Sequence, residues 1–255
     1  MPEFPAYAIL GSGRWASRIQ TILSSIDRHV VRIADPRRQP TESTTAFRSR
    51  FCVKLKSSGA QIVWLCVPPG SHVPLLMEAA MDAGLHVVSE KPWRCSRDVT
   101  DALLLQAKDT RSLLAVHYEY CLLSTVETWR RTVFPGKELG FGGHYFSGRS
   151  DHLRIPALEN LGSHLLSIKA YAAPQAALSE IRCGYNTPNE RCVWLEKAGN
   201  RTAFINLLEN KEPIIQRFIE KTEGALNGAD FPFGLDFALR IAEELAALRQ
   251  KHGSA

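Results

Sequence analysis

The sequence predicts an α/β fold: a parallel sheet with crossover helices first, then an α+β region built on a largely antiparallel sheet. Three observations carry this. Short apolar runs alternate with helix-period segments up to about residue 117, the pattern of a parallel sheet buried on both faces. A glycine-rich turn joins the first such run to the first helical segment. Beyond residue 117 the runs with β character lengthen, and the helical segments come in separate pieces. The 255 residues suit two domains, which the change of texture divides as 1–117 and 118–255.

In order along the first region, residues 6–10 form an apolar strand, and 15–25 a helix with Ile19, Ile22, Leu23 and Ile26 on one face. Residues 29–34 are a second, β-branched run ending at Asp35, followed by a polar segment. Residues 61–67 form a strand closed by Pro68-Pro69-Gly70, and 74–83 a helix closed by Gly84. A strand at 86–88, a helix at 96–108 and a strand at 113–116 complete the region. In the second region a helix over 124–133 ends at Pro135-Gly136. Strands are expected at 142–148, 179–185, 192–197, 201–208 and 213–221, with a helix between the first two at 158–171. A closing helix puts Leu235, Ala238, Leu239, Ala242, Leu245 and Leu248 in register.

Composition narrows the function classes. Hydrophobic residues at 45% and charged residues at 22% are ordinary for a globular chain with a sizeable core. The longest apolar stretch, 62–67, is far too short to span a bilayer, and no signal peptide is visible, so a cytoplasmic protein without membrane association is expected. The net charge of +5 comes from dispersed Lys and Arg, which argues against nucleic acid as a partner. The six cysteines show no Cys-x-x-Cys pair or nearby His in ligand spacing, so no metal is expected and the thiols should be reduced.

The turn Gly11-Ser12-Gly13-Arg14-Trp15-Ala16 matches the dinucleotide (Rossmann) fingerprint. Its first glycine permits the tight turn and its second lets backbone N–H groups approach a pyrophosphate, while the small Ala16 lets helix and strand pack closely. The helix N-terminus adds its dipole. Gly11, Ser12, Gly13, Arg14 and Trp15 are therefore candidate cofactor residues. Asp35, closing the second strand, stands where a carboxylate accepts hydrogen bonds from a ribose diol. Asp35 favours NAD(H), whereas Arg37 and Arg38 are placed to hold the 2′-phosphate of NADP(H). On this motif alone S-adenosylmethionine stays open, since class I methyltransferases use a similar turn.

Two further motifs extend this reading. Ile62-Val63-Trp64-Leu65-Cys66-Val67-Pro68-Pro69-Gly70-Ser71-His72, then a helix, then Gly84-Leu85-His86-Val87-Val88-Ser89-Glu90-Lys91-Pro92, resembles the glucose–fructose oxidoreductase/inositol dehydrogenase/MocA family. That family carries a Pro-Pro-x-x-His turn after its fourth strand and a Glu-Lys-Pro turn after its fifth. The resemblance covers the first domain and implies an NAD(P)-dependent oxidoreductase with Lys91 as catalytic lysine, bonded to the reacting oxygen or nitrogen and to the cofactor ribose. It implies that Val67, Pro68, Pro69, His72 and Glu90 help to hold the cofactor, with the prolines shaping the nicotinamide pocket.

In the second domain, which is short for the family, Glu159-Asn160-Leu161-Gly162-Ser163-His164-Leu165 resembles the family's Asp-x-Gly-x-His stretch and implies His164 as the active-site histidine. Asn160 stands where the family has Asp: it can hold a tautomer but cannot stabilise an imidazolium by charge. Tyr118 and Asn160 join Lys91 and His164 as candidate substrate contacts. Arg149, Asp151, His152 and Arg154 form a further polar cluster that reads either as substrate contacts or as an exposed loop.

The leading expectation is hydride transfer between nicotinamide and a small polar substrate, by carbonyl or imine reduction or alcohol oxidation. The alternatives are NAD-assisted elimination or glycoside cleavage, and a cofactor-binding sensor or partner subunit without turnover. A homodimer or higher oligomer follows from the resemblance only.

Overall fold

A computed structural model describes residues 4–33, 38–39, 41–132, 139–149 and 154–253. The chain forms two compact units, Met1–His117 with Phe218–Leu239, and Tyr118–Arg217 with Arg240–Ala255. The segment Phe218–Leu239 therefore belongs with the first unit, whereas a contiguous division at residue 117 would assign it to the second.

The first unit holds a five-stranded, wholly parallel sheet in the order β2-β1-β3-β4-β5. Its strands are β1 Tyr7–Leu10, β2 Val30–Ile33, β3 Ile62–Leu65, β4 His86–Ser89 and β5 Leu114–Val116. Helices α1 Arg14–Ser25, α2 Thr44–Lys56, α3 His72–Asp82 and α4 Arg97–Thr110 make the crossovers. Every residue of β1 and β3 is buried, as expected of strands covered on both faces. The Pro-Pro and Glu-Lys-Pro turns follow β3 and β4, the third and fourth strands described here, rather than a fourth and fifth.

The segment after β2, expected only to be polar, contains α2. Ser43 caps it by accepting the Ala46 N–H at 3.1 Å, and Phe47, Phe51 and Leu55 line its buried face at i, i+4 and i+8. Segment Phe218–Leu239 is held in this unit by aromatic packing and by charge. The Phe218 ring lies 5.9 Å from that of Trp64 and 5.8 Å from that of Phe233. The Arg28 guanidinium donates to both Glu223 oxygens at 2.8 Å, and the Tyr7 hydroxyl donates to Glu223 Oε1 at 3.0 Å.

The second unit's sheet runs β7-β6-β8-β9, comprising β6 Gly140–Ser147, β7 Ala177–Tyr185, β8 Glu190–Lys197 and β9 Asn200–Asn206. The β6–β8 and β8–β9 pairs are antiparallel, while β6 and β7 are parallel because α6 Ala157–Asn160 and α7 Gly162–Ala172 form a crossover between them. The helix expected at 158–171 is thus two pieces broken at Leu161. Helix α5 Ser124–Thr132 lies earlier in the chain, and α9 Leu235–Gly253 closes it.

Residues 213–221, expected as a strand, lie largely in α8 Ile214–Leu226. The buried Ile215, Phe218, Ile219 and Thr222 fall at i, i+3, i+4 and i+7, which is helical spacing. No helix among the described residues is long and apolar enough to cross a membrane.

Candidate active site

The reversal of strand order lies between β1 and β3, the position where open parallel sheets bind ligands beyond the carboxyl ends of their strands. The glycine-rich turn leaves β1 at this point, beside Cys66 at the end of β3; the Cys66 N–H donates to Leu10 O at 2.8 Å. Gly11 has φ +126°, and a Cβ there would stand 2.3 Å from the Cys66 carbonyl oxygen. Only glycine fits. Gly13, at the N-cap of α1, has an ordinary φ of −76° and nothing within 4 Å of a would-be Cβ.

No side chain caps α1, whereas Ser43 caps α2 and Ser96 caps α4. An uncapped, exposed helix N-terminus above an open glycine has the chemistry that a pyrophosphate requires. Ser12, Gly13 and Arg14 are exposed around it and Trp15 is half-buried. Arg32 on β2 braces the turn, donating to Gly11 O at 2.8 Å and to Gln20 Oε1 at 3.1 Å.

The β3–α3 and β4–α4 turns flank a small cleft lined by Pro69, Gly70, Val73, Ser89, Glu90 and Trp93 among others. Val67 is buried, Pro68 is exposed, and Pro69 and His72 are half-buried. The His72 ring folds back over the turn, so that a Cβ on Gly70 would meet its Nδ1 at 3.1 Å. Lys91 is half-buried at the head of the Glu-Lys-Pro turn, and its peptide bond to Pro92 is cis.

Glu90, grouped with the cofactor residues in sequence, directs its carboxylate into a buried cluster. Its Oε1 accepts the Trp64 indole N–H at 2.8 Å and lies 3.3 Å from His117 Nδ1. Burial pushes the Glu90 carboxyl up, but the charge and hydrogen bond of His117 and the indoles of Trp15 and Trp64 outweigh it, so its pKa lies below the usual carboxylate value. His117 is wholly buried, 5.0 Å from the Trp64 ring, 4.7 Å from Phe218 and 5.9 Å from Trp15. Its backbone N–H donates to Ser89 O at 2.9 Å. The residue before Lys91 is therefore anchored from beneath by a charged, aromatic-walled network. Burial foremost, and the Glu90 charge, push the nearby Cys66 thiol up, with Arg32 opposing, so Cys66 is a protonated thiol at neutral pH.

In the second unit, His164 sits on the first turns of α7, stacked on Tyr145 at 5.2 Å and 11° and edge-on to Tyr120 at 4.9 Å. The Arg191 guanidinium lies 4.7 Å over Tyr145 and donates to the Tyr120 hydroxyl at 3.5 Å. Burial foremost raises the Tyr145 phenol, so it stays neutral. Asn160 Nδ2 donates to the Tyr185 hydroxyl at 2.7 Å, while the Asn160 backbone carbonyl accepts from Ser163 Oγ at 2.9 Å. Leu161, between α6 and α7, keeps helical dihedrals, and the His164 backbone N–H donates to Leu161 O at 3.2 Å. Tyr118 has no exposed surface and contributes to packing in this structure. Asp35, Arg37, Asp151 and His152 lie outside the described residues.

Sequence reasoning missed Arg32, Trp64, His117, Tyr120, Tyr145 and Arg191. Arg32 alone had a local signal, as the charged residue inside an apolar β run.

Residues 6–118 match a family described as an oxidoreductase family with an NAD-binding Rossmann fold. The fold is similar to UDP-N-acetylglucosamine 3-dehydrogenase GnnA from Acidithiobacillus ferrooxidans, with a TM-score of 0.75 at 13% identity over 95% of this chain and 96% of that one. It is similar to an inositol dehydrogenase homolog from Azotobacter vinelandii complexed with NADH and myo-inositol, with a TM-score of 0.69 at 13% identity over 96% and 94%. It is similar to an aldose-aldose oxidoreductase from Caulobacter crescentus complexed with glycerol, with a TM-score of 0.71 at 15% identity over 97% of each chain. No curated protein matches the sequence.

Proposed function

We propose that this chain, which belongs to the Gfo/Idh/MocA oxidoreductases through its residues 6–118, transfers hydride between NAD and a small polar substrate, with Lys91 as the proton-transferring group. The observation that carries this is the uncapped N-terminus of α1 at the strand-order reversal, with open space above Gly13. A dinucleotide fits that cradle: the first-turn N–H groups of α1 and Gly13 would hold its pyrophosphate, and Asp35 the adenosine ribose. NAD is preferred to NADP because a carboxylate at residue 35 repels a 2′-phosphate.

The cofactor supplies the hydride donor or acceptor. The remaining work falls to this chain's own residues. Lys91 donates a proton to the reacting oxygen or nitrogen when the substrate is reduced and accepts one when an alcohol is oxidised. Glu90, tied down by Trp64 and His117, holds the turn that presents Lys91. His164 assists, its ring fixed between Tyr145 and Tyr120.

Asn160 gives His164 no negative charge to stabilise an imidazolium, so reduction is the favoured direction. Replacing Asn160→Asp should raise alcohol oxidation and leave reduction unchanged; equal effects on both directions would refute this preference. The chain acts as a cytoplasmic homodimer or higher oligomer that pairs through its second sheet. The test of the function is Lys91→Ala, which should lower kcat by about 10²–10⁴-fold while NADH binding is retained. Unchanged turnover would instead favour a cofactor-binding role without chemistry.

A further inference from the structure

The geometry points to a zinc-class divalent cation site on the second sheet, formed by His144 Nδ1, the Glu190 carboxylate and Cys192 Sγ, with Glu180 fixing the histidine tautomer. Among the described residues, these three ligand atoms all lie within 4.8 Å of one another. Sheet register explains the cluster. His144 on β6 is the direct cross-strand partner of Cys192 on β8, and Glu190 lies two residues before Cys192, on the same face of β8. Sequence spacing could not reveal this, because the donors come from two strands separated by a crossover.

The chemistry of the donor set is specific. One imidazole, one thiolate and one carboxylate are the ligand types zinc takes, and two anionic donors balance a dication. Zinc bonds of about 2.0–2.3 Å in a tetrahedron place ligand atoms roughly 3.3–3.6 Å apart. Cys192 Sγ already stands 3.5 Å from Glu190 Oε1. His144 Nδ1 stands 2.7 Å from the same oxygen, so the carboxylate must swing outward by somewhat under an ångström. Glu190 is half exposed and free to do so, while His144 is mostly buried.

On the other side of the ring, Glu180 Oε2 lies 3.5 Å from His144 Nε2. Without a cation, His144 Nδ1–H donates to the Glu190 carboxylate. Metal binding must displace that proton and leave the ring protonated at Nε2, where Glu180 stands to accept it, as the outer carboxylate does behind metal-bound histidines. Burial foremost pushes the Cys192 thiol up, so without a cation it stays protonated; metal binding must release that proton. Two cationic neighbours work against the site. Arg201, stacked 3.9 Å over Trp194, acts on both Glu190 and Cys192, and Arg182 pairs with Glu180 at 2.5 Å. The site therefore requires the thiolate and carboxylate together, and loss of either should abolish tight binding.

The test uses the full-length, chelator-treated chain with Co2+ alone as the probe. One equivalent should bind with thiolate-to-cobalt charge-transfer absorption and be displaced by Zn2+. Cys192→Ser should remove that absorption and Cys95→Ser should keep it. Glu190→Gln, at a half-exposed position that does not threaten folding, should weaken binding at least tenfold, and Glu180→Gln by about 10–100-fold. The inference is overturned by a folded chain that shows no saturable cobalt absorption at one equivalent. It is equally overturned by absorption that survives Cys192→Ser, or by unchanged affinity in Glu190→Gln. None of these readouts depends on NAD, so this inference and the proposed function fail separately.

Discussion

Two glycines in one turn should respond to the same substitution in opposite ways. At Gly13, alanine meets nothing within 4 Å and the backbone has an ordinary φ of −76°. Alanine is a poorer N-cap than glycine by some tenths of a kcal/mol, but it lowers the entropy of the unfolded chain by a similar amount, so the net stability change is within about 0.5 kcal/mol. The added methyl group instead occupies the space a pyrophosphate needs, and Gly13→Ala should weaken NADH binding at least tenfold, about 1.4 kcal/mol. At Gly11 the cost falls on the fold. A φ of +126° and a Cβ 2.3 Å from a backbone carbonyl oxygen force either strain or movement of β3.

Backbone strain of roughly 1–3 kcal/mol is a minimum at Gly11, so Gly11→Ala should lower Tm by about 2–12 °C or more in a chain of this size. The assay pairs thermal unfolding without ligand with an NADH titration followed by fluorescence. If Gly13→Ala binds NADH like the wild type while remaining folded, the turn is not the pyrophosphate site. If Gly11→Ala melts like the wild type, the close approach to Cys66 is wrong.

The other predictions concern Lys91, His164 and Glu212. Lys91→Ala should cost about 10²–10⁴ in kcat, the usual worth of a positioned acid or base, while NADH still binds, weakened by about tenfold for the lost ribose hydrogen bond. His164→Asn should lower kcat about tenfold or more, roughly 1.4 kcal/mol, without weakening NADH binding; a change in NADH affinity instead would give the histidine a cofactor role. Glu212 accepts hydrogen bonds from the Ser124 hydroxyl at 2.6 Å and from the Asn210 amide at 3.1 Å, and pairs with Arg217. Although burial opposes it, these bonds hold the Glu212 carboxyl down to about 2. Its stabilisation is therefore fully present above the ordinary value of 4.5 and is lost as pH falls toward 2. Glu212→Gln should destabilise the chain at pH 7 by about 1 kcal/mol after allowance for solvent screening, and the difference should vanish in acid unfolding experiments near pH 2.

Much of the first unit was legible because its signals are local. Apolar runs, helix periods and the two proline turns each lie within about ten residues, and the structure places the corresponding strands within a residue or two. Two errors came from weighing propensity above period. Ile214, Ile215, Phe218 and Ile219 suggested a strand by residue type, but their spacing is helical and they begin α8. Phe47, Phe51 and Leu55 recur every four residues, yet the basic and hydroxyl residues between them hid α2.

What stayed hidden depends on contacts between distant positions. The network under Lys91 joins Glu90 to Trp64, at a sequence separation of 26, and to His117, at 27, through neighbouring strands of the sheet. The parallel β6–β7 pair was in principle readable, since a helix between two strands calls for a crossover. The His144–Cys192 pairing was not, because nothing in either strand announces its partner.

The most direct measurement is a crystal structure of the full chain with NADH. The pyrophosphate should lie within about 2.7–3.2 Å of N–H groups in the first turn of α1. The Lys91 ammonium should lie within about 2.6–3.2 Å, or one water, of the nicotinamide ribose. A dinucleotide bound away from the Gly11–Gly13 turn, or a Lys91 side chain directed away from the nicotinamide, would contradict this geometry.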